Sequence, residues 1–268
     1  MSEFTPLNDI VVVKVGTSVL ADTYSDGSQE LNMEAFQRIS RDITALTEKG
    51  SHIILITSGA ITAGMSEVGI NKRPDSKDEI PELQRLASIG WRPLLNAWDE
   101  ALSPLLTGSL LLTKNELDLD SSERNEAIMT TYSLLKSNNI PIVNENDAIT
   151  HEQIAFGDND TLSAIYATYL SRSKLFGNLI KLVLLTNVDG VYSRENDADS
   201  VIRVIDDLDK YQHLANDTSS ENGTGGMTTK FEAGRIALDA GIEMRIANGR
   251  TKQPIQKALN DVIGTKFI

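Results

Sequence analysis

Short runs of apolar residues alternate along this chain with stretches whose apolar positions recur every three or four residues. Val11-Val12-Val13 is the first run, buried by composition, and it leads into Lys14-Val15-Gly16-Thr17-Ser18. Met33, Phe36, Ile39, Ile43 and Leu46 then mark one face of a helix, and Gly50 is its natural stop. Residues 53–56 form a second apolar run, ending at Thr57-Ser58-Gly59-Ala60. A helix is predicted over about residues 81–102, with Pro93 able to kink or break it. Residues 105–112 contain a third strand. Ile128, Tyr132 and Leu135 share a helix face, and Ile140-Pro141-Ile142-Val143 is a fourth strand. Leu162, Ile165 and Tyr169 predict another helix, residues 182–185 a fifth strand, and Phe231, Gly234 and Leu238 a last long helix. A further strand fits residues 242–246.

Apolar strands alternating with amphipathic helices predict an α/β fold, a three-layer αβα sandwich around an open, mainly parallel sheet. Residues 23–29, 71–79 and 216–226 are polar or glycine-rich and read as loops. None reads as an interdomain linker, so a single domain over residues 1–268 is expected.

The polar clusters follow the strands. Lys14 to Thr17, Thr57 to Ala60, Asn144-Glu145-Asn146-Asp147 and Thr186-Asn187 each come directly after an apolar run. In an open parallel sheet, ligands bind outside the carboxyl ends of the strands, so these clusters are expected to converge on one crevice.

Each cluster also has a plainer reading. Lys14 with Gly16 could approach a ligand oxyanion, Gly16 by its backbone N–H, or could be a turn with a solvated lysine. Ser58-Gly59 could open an anion-binding helix start, or Ser58 could be a simple N-cap. Asn144 to Asp147 and Gly157-Asp158-Asn159-Asp160 could offer oxygens to a hard cation, or supply helix caps and a turn aspartate. Gly223-Thr224-Gly225-Gly226-Met227-Thr228-Thr229-Lys230 is the sharpest motif: backbone donors, hydroxyls and a terminal cation before a helix, as in a phosphate cradle. It matches neither a P-loop nor a dinucleotide fingerprint, and it could be a flexible loop with an N-cap threonine.

Composition narrows the chemistry. The 268 residues fit about two domains or one large α/β domain. With no cysteine, disulfides, thiolate metal sites and a cysteine nucleophile are excluded, which fits a cytoplasmic location. No apolar run is long enough for a membrane helix, and residues 1–9 do not read as a secretory signal. Thirty-eight acidic against 25 basic residues give a net charge of -13, which argues against nucleic acid as a partner. An anionic substrate would have to be held against that field by placed lysines and N–H groups. Lys14 and Lys230 bracket the sequence and suit a phosphoryl transfer, whose developing charge needs cations rather than a nucleophilic residue.

Taken together, V-K-V-G-T-S, I-T-S-G-A-I, P-I-V-N-E-N-D-A, F-G-D-N-D-T-L-S-A, L-L-T-N-V-D-G-V-Y and G-T-G-G-M-T-T-K resemble the amino acid kinase family in order and spacing. The resemblance covers essentially the whole chain. It implies transfer of the γ-phosphoryl of ATP, with Mg2+, to the side-chain carboxylate of glutamate. Other acceptors on this fold would be aspartate, N-acetylglutamate or a nucleoside monophosphate, and a non-catalytic amino-acid sensor is a further alternative. The resemblance gives Lys14, Lys230 and Asp160 catalytic roles, the lysines at the transferring phosphoryl group and Asp160 holding them. It assigns Gly16, Thr186, Asn187, Thr224, Gly225, Gly226, Met227, Thr228 and Thr229 to ATP together with both lysines, and Ser58, Gly59, Asp147 and Asn159 to glutamate. Gly59, like Gly16, would also offer its backbone N–H to phosphate. It assigns no residue to a metal. Residues 1–172 would form a glutamate lobe and residues 173–268 a nucleotide lobe. It further implies proline as feedback inhibitor, a homo-dimer or tetramer, and a link to glutamate 5-phosphate reductase. Two features depart from the family pattern: Asn187 stands where Asp is usual, and residues 174–181 form a longer segment. The C-terminal domain of many relatives, resembling RNA-modifying-enzyme modules, is not expected within these 268 residues.

Overall fold

The structure, a computed structural model, describes residues 5–74, 77–114, 116–117, 121–150, 159–177, 179–194, 197–216 and 226–268. Its strands are β1 (Ile10–Val15), β2 (Ala21–Thr23), β3 (Gln29–Leu31), β4 (His52–Thr57), β5 (Thr107–Leu112), β6 (Ile140–Glu145), β7 (Ile180–Thr186), β8 (Val191–Tyr192), β9 (Val201–Ile202), β10 (Val204–Ile205), β11 (Glu243–Asn248) and β12 (Thr265–Phe267). The helices are α1 (Thr17–Leu20), α2 (Met33–Thr47), α3 (Ala60–Val68), α4 (Ile80–Leu102), α5 (Ser122–Lys136), α6 (Asn159–Arg172), α7 (Leu208–Tyr211), α8 (His213–Asn216), α9 (Met227–Asp239) and α10 (Pro254–Leu259).

One eight-stranded sheet runs in the order β10-β12-β11-β7-β1-β4-β6-β5. Every pairing in it is parallel except β11 with β12. β1 sits near the middle. The chain builds outward from it through β4 and later returns to its other side as β7. That reversal of direction is where an open α/β sheet leaves a crevice at its carboxyl edge.

Strand alternation sorts the core into two faces. Ile10 and Val12 of β1 pack with Ile54, Ile56, Leu182, Leu184, Met244 and Ile246 under α5, α6 and α9. Val11, Val13 and Val15 face the other way, with Ile53, Leu55, Val183 and Leu185, against α2, α4 and α10. Both faces are covered, which is why the central strands β1, β4 and β7 are apolar nearly throughout rather than alternating. The three-layer expectation therefore holds. Lys14 shares the parity of Ile10 and Val12, so it emerges at the end of β1 on the α6 and α9 side.

α3 and α4 meet backbone to backbone. A Cβ on Gly90 would stand 1.8 Å from the Ala60 carbonyl oxygen, and one on Gly64 2.0 Å from the Leu86 oxygen. Only glycine permits that approach, and it fixes where α3 begins. α4 runs unbroken through Pro93. The carbonyl that Pro93 cannot reach belongs to Ile89, on the helix's solvent-exposed side, where a missing donor costs least.

Some elements differ from the predicted pattern. Residues 23–29 join the β2–β3 hairpin and contribute strand residues at both ends. β10 and β12 extend the sheet beyond β11, and strands of two or three residues carry no periodic signal. The long segment before β7 docks on the N-terminal residues: the Leu7 N–H donates to Leu175 O, the Gly177 N–H donates to Leu7 O, and the Phe176 ring lies edge-on to Tyr132 at 6.1 Å. Among the described residues no helix is long and apolar enough to cross a membrane.

Candidate active site

Three chain segments far apart in sequence meet at the end of β1. Asp160, in the first turn of α6, is 1% exposed. Its Oδ1 lies 2.6 Å from Lys14 Nζ, and its Oδ2 lies 3.1 Å from Lys230 Nζ. Thr229 donates a third contact to Oδ2 at 3.0 Å. Burial would push this carboxyl up, but the two ammonium groups hold it well below the usual carboxylate range. Asp160 is thus fixed as an anion between two fixed cations.

The partners come from neighbouring layers. β1 delivers Lys14 by strand parity. The start of α9 delivers Lys230, and its Nζ also donates to the Gly226 carbonyl at 3.4 Å. Lys14 as a turn lysine in solvent is excluded, since both lysines are buried.

Next to this trio a cleft opens between the ends of β1, β4 and β6. Thr17, Ser58, Gly59, Ala60, Ile61, Thr62, Arg73, Asp147 and Asn159 line it. Gly59 is the N-cap of α3 with φ 111°, and no side chain caps that helix. Ser58 is therefore not the simple cap. Its backbone N–H donates to Val15 and its hydroxyl accepts from Asn159. The first-turn N–H groups of α3 face the cleft, where an oxyanion is favoured.

Asn159 ties the cleft together. Its amide nitrogen reaches Thr57 O at 3.1 Å, Ser58 Oγ at 3.0 Å and Asn144 Oδ1 at 2.9 Å. Its amide oxygen accepts from Glu145 N–H at 3.3 Å. Asn159 thus braces β4 against β6 and stands one residue before Asp160. The cleft and the lysine trio share the start of α6.

Asp147 and Arg73 bring opposite charges to the same cleft. Burial raises the Asp147 carboxyl to about 6, and the attraction of Arg73 only partly offsets it. Burial likewise lowers the Arg73 guanidinium, and Asp147 opposes that shift.

Other predicted residues are placed as follows. The Gly16 N–H donates to Leu185 O at 3.0 Å, so the oxyanion donor expected there is taken up by the sheet. The reason is local: Gly16 continues β1 one residue further and takes the next ladder bond. Its missing Cβ still leaves room beside Lys14, whose Nζ such a carbon would meet at 3.6 Å. Thr186 and Asn187 end β7, and the Thr186 hydroxyl donates to the exposed Asn187 at 3.4 Å. Gly226 caps α9. The Met227 side chain belongs to the core, which leaves its backbone for any ligand. The Thr228 hydroxyl donates to Ala215 O at 2.8 Å. Thr224, Gly225 and Asp158 lie outside the described residues. Among the described residues no group of three or more His, Cys, Asp or Glu side chains could hold a metal ion.

Sequence reasoning missed Arg73, Thr17 and Thr62. Arg73 lies in a polar stretch read only as a loop, and its proximity to Asp147 arises from the fold. A lone cation amid loop residues carries no signal of its own.

This arrangement, a sheet-edge cleft beside an anion locked between two buried lysines, supplies the fixed cations that phosphoryl transfer needs. The chain belongs to the amino acid kinase family, whose model matches residues 9–248. It is 35% identical to the glutamate 5-kinase of Thermoanaerobacter sp. (strain X514), covering 96% of this chain and 67% of that one. It is 37% identical to the glutamate 5-kinase of Lactiplantibacillus plantarum, covering 96% of each. A solved carbamate kinase from Giardia lamblia bound to AMP-PNP shares the fold, with a TM-score of 0.65 at 15% identity over 97% of this chain and 98% of that one.

Proposed function

We propose that this protein transfers the γ-phosphoryl of ATP to the side-chain carboxylate of L-glutamate, giving glutamate 5-phosphate and ADP. The carrying observation is Asp160 between Lys14 and Lys230, beside a cleft lined by opposite charges. The names of the relatives support glutamate as the acceptor.

The chemistry needs little more than placement and charge. A glutamate side-chain carboxylate is already ionised at neutral pH, so no general base is required. One of its oxygens attacks the γ-phosphorus while the bond to the β-phosphate oxygen breaks. Lys14 and Lys230 stabilise the charge that spreads over the transferring and leaving oxygens. Asp160 holds both ammonium groups in place, so they need no reorganisation as the reaction proceeds. Asn159 and the open start of α3 hold the acceptor in line, with Ser58 and Asp147 completing its site.

ATP lies along the ends of β7 and the start of α9, over Thr186, Asn187 and Gly226. Residues 1–172 then serve glutamate and residues 173–268 serve the nucleotide, with Lys14 crossing between them. Mg2+ would accompany the nucleotide and would supply further charge neutralisation at the phosphates, with no residue of this chain assigned to hold it. Proline as feedback inhibitor, a dimer or tetramer, a cytoplasmic location and delivery to glutamate 5-phosphate reductase complete this reading.

An acyl phosphate is trapped by hydroxylamine as a hydroxamate. With ATP and Mg2+, hydroxamate should form with glutamate well above aspartate or N-acetylglutamate. Formation with aspartate or N-acetylglutamate instead would reassign the acceptor. ATP binding with no hydroxamate from any of them would indicate a sensor.

A further inference from the structure

The cleft carries one charge that no role above uses. Arg73 lines it beside Asp147, across from Ser58 and the start of α3. It is half-buried, follows the left-handed Gly69 that ends α3, immediately precedes the buried Pro74, and shares the cleft lining with Ser58 and Ala60. Burial lowers the Arg73 guanidinium and Asp147 opposes that shift, so the two opposite charges act on one another within the cleft.

We propose that Arg73 binds the α-carboxylate of the amino-acid substrate, while Asp147 binds its ammonium group. This rests on the reading above that the cleft takes glutamate. A free α-amino acid carries both charges on one carbon, about as far apart as two neighbouring side chains can reach. Arg73 and Asp147 form the complementary pair. Each meets its opposite when the zwitterion binds. Arginine suits the task because its planar fork can grip both carboxylate oxygens.

The pair also sets direction. Asn159 lines the same cleft and is the chain neighbour of Asp160, so the cleft's Asn159 end adjoins the lysines. With its head held by Arg73 and Asp147, glutamate points its side-chain carboxylate to that end. An N-acylated substrate would bury Asp147 against an uncharged amide, and a substrate without the α-carboxylate would leave Arg73 unmatched. Discrimination of this kind is strong because the penalty falls on the protein's own buried groups.

The electrostatics agree with the geometry. Burial acts against the charge of both groups, and each is the other's compensating partner.

The test compares the wild-type protein with Arg73→Met and Arg73→Lys. It measures KM and kcat for glutamate, KM for ATP, and inhibition by two fragments. 4-Aminobutanoate lacks the α-carboxylate, and glutarate lacks the ammonium. Arg73→Met should raise the glutamate KM on the order of 100-fold, with kcat and the ATP KM changed less than about threefold. Glutarate should weaken in parallel, and 4-aminobutanoate should inhibit both proteins equally. Arg73→Lys should fall between the two, keeping charge but losing the fork. If Arg73→Met does not fold, Arg73→Lys decides by the same fragment comparison.

Equal weakening of 4-aminobutanoate and glutarate would overturn the proposal, since Arg73 would then act only through Asp147 or the local fold. So would an unchanged glutamate KM. A wild-type protein that binds ATP but never phosphorylates glutamate would overturn the kinase reading itself, and the proposal with it.

Discussion

Asp160 and Asp147 are two carboxylates on either side of the same crevice, and both are drawn in from water. Their fates differ. Asp160 is the more deeply buried, yet two ammonium groups at 2.6 and 3.1 Å hold it ionised far below the usual range. Asp147 faces one guanidinium and rises to about 6. Burial acts in the same direction on both, so the number and closeness of cations decides the outcome. A carboxylate with two lysines is a permanent fixture. The weaker compensation at Asp147 leaves its carboxyl raised, and the substrate ammonium proposed above would be its second cation.

The largest way to break this contrast is to remove a lysine. Lys14→Ala and Lys230→Ala should each lower kcat on the order of 100- to 1000-fold, because each removes a charge aimed at the transferring group. The fold should survive, as Asp160 keeps one cation and the variants bury less charge. Circular dichroism and steady-state kinetics check both halves. Near-normal turnover in both variants would remove the lysines from the chemistry.

A smaller effect comes from the other carboxylate. Asp147→Ala should raise the glutamate KM on the order of 10- to 100-fold, the scale of one lost charged hydrogen bond, with little change in the ATP KM. Equal effects on both substrates would contradict its role as the ammonium reader.

The gentlest probe is pH. Asp147's carboxyl is raised from 3.8 to about 6, so the folded protein holds a proton there that the unfolded chain releases. Its contribution to stability is therefore present below pH 3.8 and fades as pH rises through 6. Asp160 runs the other way. Its depressed pKa contributes stability above 3.8, and that is lost as pH falls below it. Ammonium binding needs ionised Asp147, so the glutamate KM should climb below pH 6 by up to about tenfold per unit. Asp147→Asn should flatten that slope while leaving the dependence on ATP alone.

Much of this was legible in the chain. Val11 to Val13, residues 53–56, 140–143 and 182–185 announce buried strands because both faces of the sheet are covered. Polar residues at their ends had to converge once the strands ran parallel. The meeting of Lys14 with Asp160 and Lys230 came from the family resemblance, and strand parity explains it in the structure, since Lys14 faces the same side as Ile10 and Val12, toward α6 and α9. What stayed hidden depends on contacts between distant segments. Gly64 and Gly90 look like ordinary helix glycines until the α3–α4 crossing is seen. Gly16 looks like an oxyanion donor until β1 extends to claim its N–H. Arg73 looks like loop punctuation until α3 ends and turns it toward Asp147. Periodicity reports burial of a face, and it says nothing about which distant loop folds over which strand end.

The crossing of α3 and α4 has a mechanical corollary. Where helices touch through side chains, rotamer changes can absorb a small displacement. Gly64 and Gly90 leave no such cushion, because main chain bears directly on main chain. Any push along α4 is therefore relayed almost undiminished to the threshold of the cleft at Gly59, as through a rigid gear tooth.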